Sequence, residues 1–385
     1  MEVKTLNQTV NSSRAVFDLS PGSKGFVSQI SLRQRAARPF LIPAVYYRIE
    51  GMANLQVAFL DRYHPNICET IRRDLPGDWL PRFAESKELK DQIAAVSDAD
   101  LLFVMAAPVT PEILAAAKKV RFIQKLGAGV DRIDLKMCEE RGIGVARLAG
   151  GNAIPVAEHA LLLILATLRR LPTNDRRTRA GDWLKEESRG VNRQLHGKRV
   201  GLVGLGAIGK ALAELLKGFE VEIVYYDPFP PSADIEEKLG VRGVSLDELL
   251  ATSDIVSLHL PLMPSTANLI SKEKIARMKP GAVLINSARG GLVDEAALAE
   301  ALTDGRLFGA GIDAFAKEPP VGSPLLALTE QTVVTPHFAG ATIDNFSSVI
   351  AGAVRNARQY LDNGTIPAAD AVFVPQAQGT TSNAR

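Results

Sequence analysis

The sequence predicts an α/β protein with two doubly wound parallel-sheet domains and a cleft between them. Short apolar runs typical of buried strands alternate with segments of helical periodicity, which indicates parallel strands joined by crossover helices. A chain of 385 residues is long enough for two domains with cores of their own. A glycine-rich turn at residues 204–209 follows one apolar run and opens a helical segment, an order typical of Rossmann-like domains.

In the first half of the chain, four apolar runs are predicted to be strands of one sheet: residues 55–60, 101–104, 121–125 and 143–145. Helical segments lie between them, for example residues 111–118. A longer segment at 155–170 is predicted to be the helix that links the two units, and its apolar face is a candidate subunit contact. Its most apolar part, 160–168, is far shorter than the ~20 residues that cross a membrane.

In the second half, six runs are predicted to be strands: residues 199–203, 222–226, 255–259, 283–286, 308–313 and 332–335. Asp294 is a typical N-cap for a helix over residues 295–303, and Gly305 ends that helix. A last helix is predicted over about residues 344–361, before Gly364.

The two ends of the chain differ in composition from the rest. The first 51 residues have little apolar periodicity and are interpreted as a disordered extension, an organellar presequence, or translated sequence upstream of a true start at Met52. We favour the mis-assigned start, because Met52 directly precedes the first convincing strand. Residues 365–385 are predicted to be a disordered tail, because small and polar residues dominate from 368 onward.

Composition excludes several classes of function. The formal net charge is +2 and the basic residues are scattered among acidic ones, so nothing favours binding to nucleic acid. The two cysteines, Cys68 and Cys138, are too few for a disulfide framework and lack metal-ligand spacing. We therefore expect a cytoplasmic protein without a metal site.

The glycine-rich turn is the first candidate binding site. Gly204 permits the tight turn, Gly206 lets a pyrophosphate approach the backbone, and Gly209 lets helix and strand pack closely. The next apolar run ends in Asp227, about 20 residues on, where a carboxylate accepts hydrogen bonds from a ribose diol and repels a 2′-phosphate. The pattern predicts NAD rather than NADP. The alternative is a structural turn that binds nothing.

Polar residues follow the last three predicted strands. Arg289, Glu318 and His337 each come after a different apolar run, and the carboxyl ends of parallel strands meet at one crevice. A redox step on a hydroxy acid needs a cation for the carboxylate, a base for the hydroxyl proton and a carboxylate that orients the base. Taken singly, the three residues have plainer interpretations as a surface ion pair, a solvated turn and a core histidine.

The other histidines are interpreted as structural. His259 lies on an apolar strand and is interpreted as a satisfied or cofactor-lining imidazole rather than a second base. His64, His159 and His196 have no partner that the sequence identifies.

Seven segments, in matching order and spacing, resemble the D-isomer-specific 2-hydroxyacid dehydrogenase family and its phosphoglycerate dehydrogenase-like members. The resemblance covers about residues 55–361. The segments are 127–131 (Gly-Ala-Gly-Val-Asp), 156–158 (Val-Ala-Glu), the glycine-rich turn, 259–262 (His-Leu-Pro-Leu), 286–290 (Asn-Ser-Ala-Arg-Gly), 313–319 (Asp-Ala-Phe-Ala-Lys-Glu-Pro) and 335–337 (Thr-Pro-His).

The resemblance implies an NAD-dependent enzyme that interconverts a D-2-hydroxy acid and its 2-oxo acid. By analogy, Arg289 binds the substrate carboxylate, His337 is the general acid/base and Glu318 is the partner of that histidine. The backbone amides of Gly129 and Val130 help to bind the carboxylate. The residues implied to bind the cofactor are Gly204, Gly206, Ala207, Ile208, Gly209, Asp227, His259, Pro261, Thr266, Ser287, Ala288, Arg289, Asp313, His337 and Gly340, of which Asp313 holds the nicotinamide carboxamide.

The same resemblance implies a division into two domains. Residues 52–150 together with about 338–364 would form the substrate domain, and residues 151–337 the NAD-binding domain. It also implies a homodimer that closes over its ligand.

The chain departs from the family members that act on 3-phosphoglycerate. Those members commonly carry an arginine just after the strand that ends here at Val104, where this chain has uncharged residues 105–108. Many of them carry a small regulatory domain that this sequence does not show. Arg132 stands where an asparagine is usual and supplies a positive charge, so a 3-phosphoglycerate dehydrogenase is kept as an alternative. Glu318 argues against the formate-oxidising members, where a glutamine accompanies the histidine, and an NAD(H)-sensing, corepressor-like protein is a further alternative.

Overall fold

Two parallel sheets, each with helices on both faces, make up residues 54–375, the part of the chain that this computed structural model describes. The predicted α/β class with two doubly wound sheets is therefore confirmed. The expectations for residues 1–51 lie outside the described residues.

The strands are β1 (Leu55–Phe59), β2 (Trp79–Phe83), β3 (Leu101–Val104), β4 (Phe122–Lys125), β5 (Gly144–Ala146), β6 (Arg199–Val203), β7 (Glu222–Tyr226), β8 (Val241–Gly243), β9 (Ile255–Leu258), β10 (Val283–Asn286), β11 (Gly309–Ile312), β12 (Thr332–Val334) and β13 (Ala371–Phe373). The α-helices are α1 (Pro65–Asp74), α2 (Leu89–Val96), α3 (Pro111–Ala116), α4 (Leu135–Glu140), α5 (Ala153–Leu168), α6 (Leu171–Arg179), α7 (Lys185–Val191), α8 (Ala207–Leu216), α9 (Ala233–Leu239), α10 (Leu246–Thr252), α11 (Lys272–Arg277), α12 (Glu295–Thr303) and α13 (Ile343–Asn363). Short 3-10 helices lie at Lys217–Phe219, Gly290–Leu292 and Pro324–Ala327.

The first sheet has the strand order β13-β5-β4-β3-β1-β2, and only β13 runs antiparallel to its neighbour. The second sheet has the order β12-β11-β10-β9-β6-β7-β8 and is parallel throughout. We call residues 54–149 and 343–375, which include the first sheet, the first lobe, and residues 153–340, which include the second sheet, the second lobe. The domain bounds that the resemblance implies stay a prediction. In the second sheet the order reverses between β6 and β9, which is where parallel sheets of this kind bind ligands.

The central strands are continuous apolar runs because helices cover both faces of each sheet. All four residues of β3, of β9 and of β10 are buried. Helix α5 packs against α8 and the second sheet, whereas α13 returns to the first lobe and packs against α1 and β4. Within residues 54–375, no helix is both long enough and apolar enough to cross a membrane.

Besides β13, two strands of the sheets, β2 and β8, had no counterpart among the predicted strands. β2 is an edge strand that contains Pro81, a residue that sheets accept only at an edge or a bulge, and its exposed positions break the apolar pattern. β8 is likewise an edge strand, and two of its three residues are exposed. Neither strand carries the continuous apolar run that identified the others.

The prediction of a disordered tail from residue 365 is wrong for β13 and for the residues from Ile366 that lead into it. Ile366 is buried, and β13 pairs with β5. Asp370 is polar but buried, and its carboxylate accepts hydrogen bonds from the Ala149 amide at 2.8 Å and from Asn356 Nδ2 at 3.0 Å. Residues 376–385 lie outside the described part of the chain.

Candidate active site

The glycine-rich turn between β6 and α8 has the shape that its three glycines predict. Gly204 has a φ of +102°, and a Cβ atom on it would lie 2.8 Å from the carbonyl oxygen of His259. A Cβ on Gly209 would lie 2.3 Å from the carbonyl oxygen of Gly204, which shows how closely α8 packs on the turn. Gly206 is exposed and precedes α8, and a Cβ there would meet nothing within 4 Å. Bare backbone thus faces open space at the helix N-terminus.

Asp227 lies at the end of β7, beside this turn. One carboxylate oxygen accepts a hydrogen bond from the Leu205 amide at 2.8 Å, and the other accepts one from the Phe229 amide at 2.8 Å. Each oxygen keeps a further lone pair. The carboxylate therefore fixes the glycine-rich turn, and its role towards a ribose stays a prediction.

Three neighbouring strands, β10, β11 and β12, end at one edge of the second sheet and carry Arg289, Glu318 and His337 beyond their ends. His337 Nδ1 lies 2.6 Å from Glu318 Oε1. The histidine has a φ of 53°, in the left-handed region that non-glycine residues rarely occupy. This uncommon backbone conformation lies at the residue that the sequence predicts to be the acid/base group.

The strained turn at His337 is held by Asp313, which is fully buried. Its carboxylate accepts hydrogen bonds from the Thr335 hydroxyl at 2.6 Å and from the amides of Phe338 at 3.1 Å and Ala339 at 3.0 Å. These contacts lie on both sides of His337 in the chain. The predicted contact of Asp313 with a nicotinamide carboxamide stays a prediction.

Arg289 lies between the lobes. Its Nε donates to Asp131 Oδ1 at 3.3 Å, and a Cβ on Gly129 would lie 1.8 Å from its Nη2. The loop that carries it is braced by Asn286, whose side chain donates to the Arg289 carbonyl at 2.9 Å and accepts from the Ala288 amide at 3.1 Å. Arg289 and Gly129 are therefore brought together from different lobes, and the bracing by Asn286 was not predicted.

Arg132 supplies a contact that the sequence did not indicate. Its Nη2 donates to Glu318 Oε2 at 3.3 Å, and its Nη1 donates to the Ala106 carbonyl at 3.3 Å. The Glu318 carboxylate is thus shared between His337 of its own lobe and Arg132 of the other lobe. The only signal in the sequence was an arginine at a position where an asparagine is usual.

The remaining residues predicted to line a cofactor lie around the same edge of the second sheet. The Thr266 hydroxyl donates to the Pro261 carbonyl at 2.7 Å and accepts from the Met263 amide at 2.8 Å, and both contacts stabilise the loop of residues 261–266. Ser287 is buried, and its hydroxyl has no hydrogen-bond partner among the described residues. A Cβ on Gly340 would lie 2.8 Å from Asn152 Nδ2. Ala207 and Ile208 form the first turn of α8, and Val130 follows Gly129 in the loop facing Arg289.

Two histidines lie near the site without joining the Glu318–His337 pair. Burial lowers the pKa of His259 to about 4, and its Nε2 lies 3.0 Å from Ser257 Oγ, so the ring is neutral near pH 7. The prediction that His159 lacks partners is wrong. Its Nε2 lies 3.1 Å from Thr335 Oγ1, and burial lowers its pKa. Among the described residues, no group of histidine, cysteine and carboxylate side chains has the geometry of a metal site.

Comparison with known proteins gives consistent results. The family model for the NAD-binding domain of D-isomer specific 2-hydroxyacid dehydrogenases matches residues 161–339. A glyoxylate reductase from Korarchaeum cryptofilum is 36% identical over 312 residues, which are 77% of this chain and 93% of that protein. A D-3-phosphoglycerate dehydrogenase from Mycobacterium tuberculosis is 42% identical over 289 residues, which are 75% of this chain but 53% of that protein. The chain therefore spans about half the length of this second relative.

A solved structure agrees with the architecture. The structure of an NAD-dependent formate dehydrogenase from Staphylococcus aureus in complex with NAD has a TM-score of 0.73 and 26% sequence identity. The match covers 83% of this chain and 99% of that chain.

Proposed function

The chain belongs to the D-isomer-specific 2-hydroxyacid dehydrogenase family, and we propose that it is an NAD-dependent oxidoreductase that interconverts a small D-2-hydroxy acid and its 2-oxo acid. The observation that carries the proposal is the 2.6 Å contact between His337 and Glu318, beside the strand end that holds Arg289. An acid/base pair next to a cation is what the reaction of a hydroxy acid requires.

The second lobe fits a dinucleotide at its glycine-rich turn. Gly206 leaves open backbone at the start of α8, where a pyrophosphate has room against the free N–H groups of the helix. The negative charge of Asp227 at the end of β7 favours NAD over NADP, because it repels a 2′-phosphate. When bound, the nicotinamide supplies or accepts the hydride.

His337 acts as the general acid/base. Because its Nδ1 pairs with Glu318, its Nε2 is the atom left to exchange a proton with the substrate oxygen. The Glu318 carboxylate orients the ring and stabilises the imidazolium form, as a carboxylate behind a catalytic histidine does in other enzymes. In the direction of reduction, His337 donates this proton to the oxygen that becomes the hydroxyl group.

Arg289 binds the acid group and stabilises charge on the reacting oxygen. Its guanidinium lies against Gly129, so a substrate carboxylate at this point also meets the backbone amides of Gly129 and Val130. Asp131 occupies the Nε side of the same guanidinium. A substrate carboxylate therefore binds Arg289 at its remaining N–H groups or in place of Asp131.

The test is a panel of 2-oxo acids, including glyoxylate, hydroxypyruvate, pyruvate and longer homologues, followed by NADH absorbance. We expect at least one acid to be reduced at an enzymatic rate, faster with NADH than with NADPH. If NADH binds but no acid on the panel is reduced, the dehydrogenase proposal fails and a protein that senses NAD(H) takes its place.

A 3-phosphoglycerate dehydrogenase is a second candidate, supported by the 42% identity to the mycobacterial relative. Two features of the site disfavour it. The loop after β3 holds uncharged residues 105–108, and Arg132 is already engaged by Glu318. Including 3-phosphohydroxypyruvate in the panel separates the two candidates by its kcat/KM relative to the unphosphorylated acids.

We also propose that the protein is a cytoplasmic homodimer. Helix α5 is apolar on average yet leaves Ile154 and Leu162 exposed, and Leu171 beyond it is exposed as well. A second copy of the chain would cover these side chains. Sedimentation equilibrium measures the mass, and a monomer at micromolar concentration would contradict the dimer.

A further inference from the structure

Two adjacent residues of the first lobe contact the Arg289 guanidinium and the Glu318 carboxylate of the proposed active site. Asp131 accepts a hydrogen bond from Arg289 at 3.3 Å, and Arg132 donates one to Glu318 at 3.3 Å. The signs are complementary in each case. Arg289 and Glu318 belong to the second lobe, so both contacts cross from one lobe to the other.

The backbone that carries Arg132 is fixed by two hydrogen bonds to Val109. Its carbonyl accepts a hydrogen bond from the Val109 amide at 2.8 Å, and the Asp134 amide donates to the Val109 carbonyl at 3.1 Å. Ile133, between them, is buried in the first lobe. Arg132 therefore lies in a loop whose backbone is held to the first lobe.

The Glu318 carboxylate has its two oxygens divided between the lobes. Oε1 lies 2.6 Å from His337 Nδ1, and Oε2 accepts from Arg132. The Glu318 side chain is only 21% exposed, whereas that of Arg132 is 51% exposed. Oε1 also accepts a hydrogen bond from the Phe315 amide at 3.3 Å, so within the second lobe the carboxylate is held at this one oxygen. A half-exposed ion pair stabilises the fold little, but the contact of Arg132 with Oε2 fixes the second oxygen and so the plane of the carboxylate.

We propose that Arg132 is a positioning residue for the Glu318–His337 pair, delivered from the opposite lobe. The inference rests on the proposed function. Arg132 holds Oε2 of the Glu318 carboxylate and so keeps Oε1 directed at His337 Nδ1, and the pair is fully aligned only when the two lobes are together. The contact that aligns the pair for proton transfer therefore forms when the first lobe meets the second lobe.

The first test is a double-mutant cycle in turnover with the best acid of the panel. We expect Arg132→Gln to lower kcat about tenfold while the KM for NADH stays the same, and Arg132→Lys to restore part of the loss. In the Glu318→Gln background, Arg132→Gln should cause no further loss, because the group that it positions is gone. The matched control is Arg73→Gln, which removes an exposed arginine paired with Asp74 in the same lobe and should leave kcat unchanged.

Equal losses from Arg132→Gln in both backgrounds would overturn the proposal, and so would a raised KM for the acid at unchanged kcat, which would make Arg132 a substrate-binding cation. A second measurement needs no turnover. The four proteins of the cycle are the wild type, Arg132→Gln, Glu318→Gln and the double variant. If Arg132 and Glu318 touch, the shift of the thermal unfolding midpoint in the double variant should differ from the sum of the two single shifts, and additive shifts would contradict the contact. Failure of the proposed function appears separately, as a wild-type protein that reduces no acid.

Discussion

Lys125 ends β4 beside the charged groups of the candidate site. Burial is the main reason that its pKa falls to about 8. The carboxylates of Asp61 and Asp131 oppose the shift, and the guanidinium groups of Arg289 and Arg132 add to it. Since an unfolded lysine titrates near pH 10.4, folding disfavours the charged form of this amine.

We expect Lys125→Met to stabilise the protein at pH 7, by about 2 kcal/mol, because the folded state no longer holds a disfavoured ammonium group. The wild-type protein should gain stability as the pH rises from about 8 towards 10.4, where only the unfolded chain still binds the proton, so the advantage of the variant disappears there. Urea unfolding at pH 7 and pH 10 measures both effects. Lys118→Met, at an exposed position, is the control, and equal effects of the two variants would refute the assignment.

The side chains at strand ends were predictable one by one, but their partners were not. Arg289, Glu318 and His337 stand out because each is a charged or titratable residue that follows an apolar run on the carboxyl side of a strand. Arg132 and Glu318 are 186 residues apart, and Asp131 and Arg289 are 158 apart. No periodicity relates loops on two different sheets, so the contacts that join the lobes could be found only in three dimensions.

At the scale of elements, the first lobe is completed by the end of the described chain. β13 pairs with β5 at the edge of the sheet, and Asp370 just before it anchors the strand. Besides the amide of Ala149 and the side chain of Asn356, its carboxylate accepts from Arg355 Nη2 at 3.0 Å. Strands covered on both faces were predictable from their apolar runs. β13 was not, because its short pairing depends on a polar residue that is buried only after folding.

We expect Asp370→Ala to destabilise the protein by about 3 kcal/mol, because it leaves buried donors without an acceptor and frees β13 from its anchor. The free energy of unfolding in urea checks this. Asp362→Ala, an exposed carboxylate near the end of α13, should change it by less than about 0.5 kcal/mol. A loss at Asp370 no larger than that at Asp362 would mean that β13 is not held in this way.

At the scale of the whole molecule, the chain passes between the lobes twice at neighbouring points. The first passage is at residues 150–152 and the second at residues 341–342. Gly340 lies against Asn152, and Asn345 Nδ2 donates to the Gly151 carbonyl at 2.9 Å. The contacts of Arg289 and Glu318 with the first lobe lie in loops outside these passages. The two chain passages and the charged contacts between the lobes are thus separate features, and the proposed chemistry uses the charged contacts.

The central claim is that His337, paired with Glu318, is the acid/base group of a dehydrogenase. The most direct measurement is single-turnover oxidation of NADH by His337→Ala with a 2-oxo acid that the wild type reduces, together with NADH binding followed by its fluorescence. We predict a loss of about 10²–10⁴-fold in rate with binding of NADH unchanged. The control is His196→Ala, which removes an exposed imidazole and should react like the wild type. A His337→Ala protein that still oxidises NADH at the wild-type rate would contradict the account.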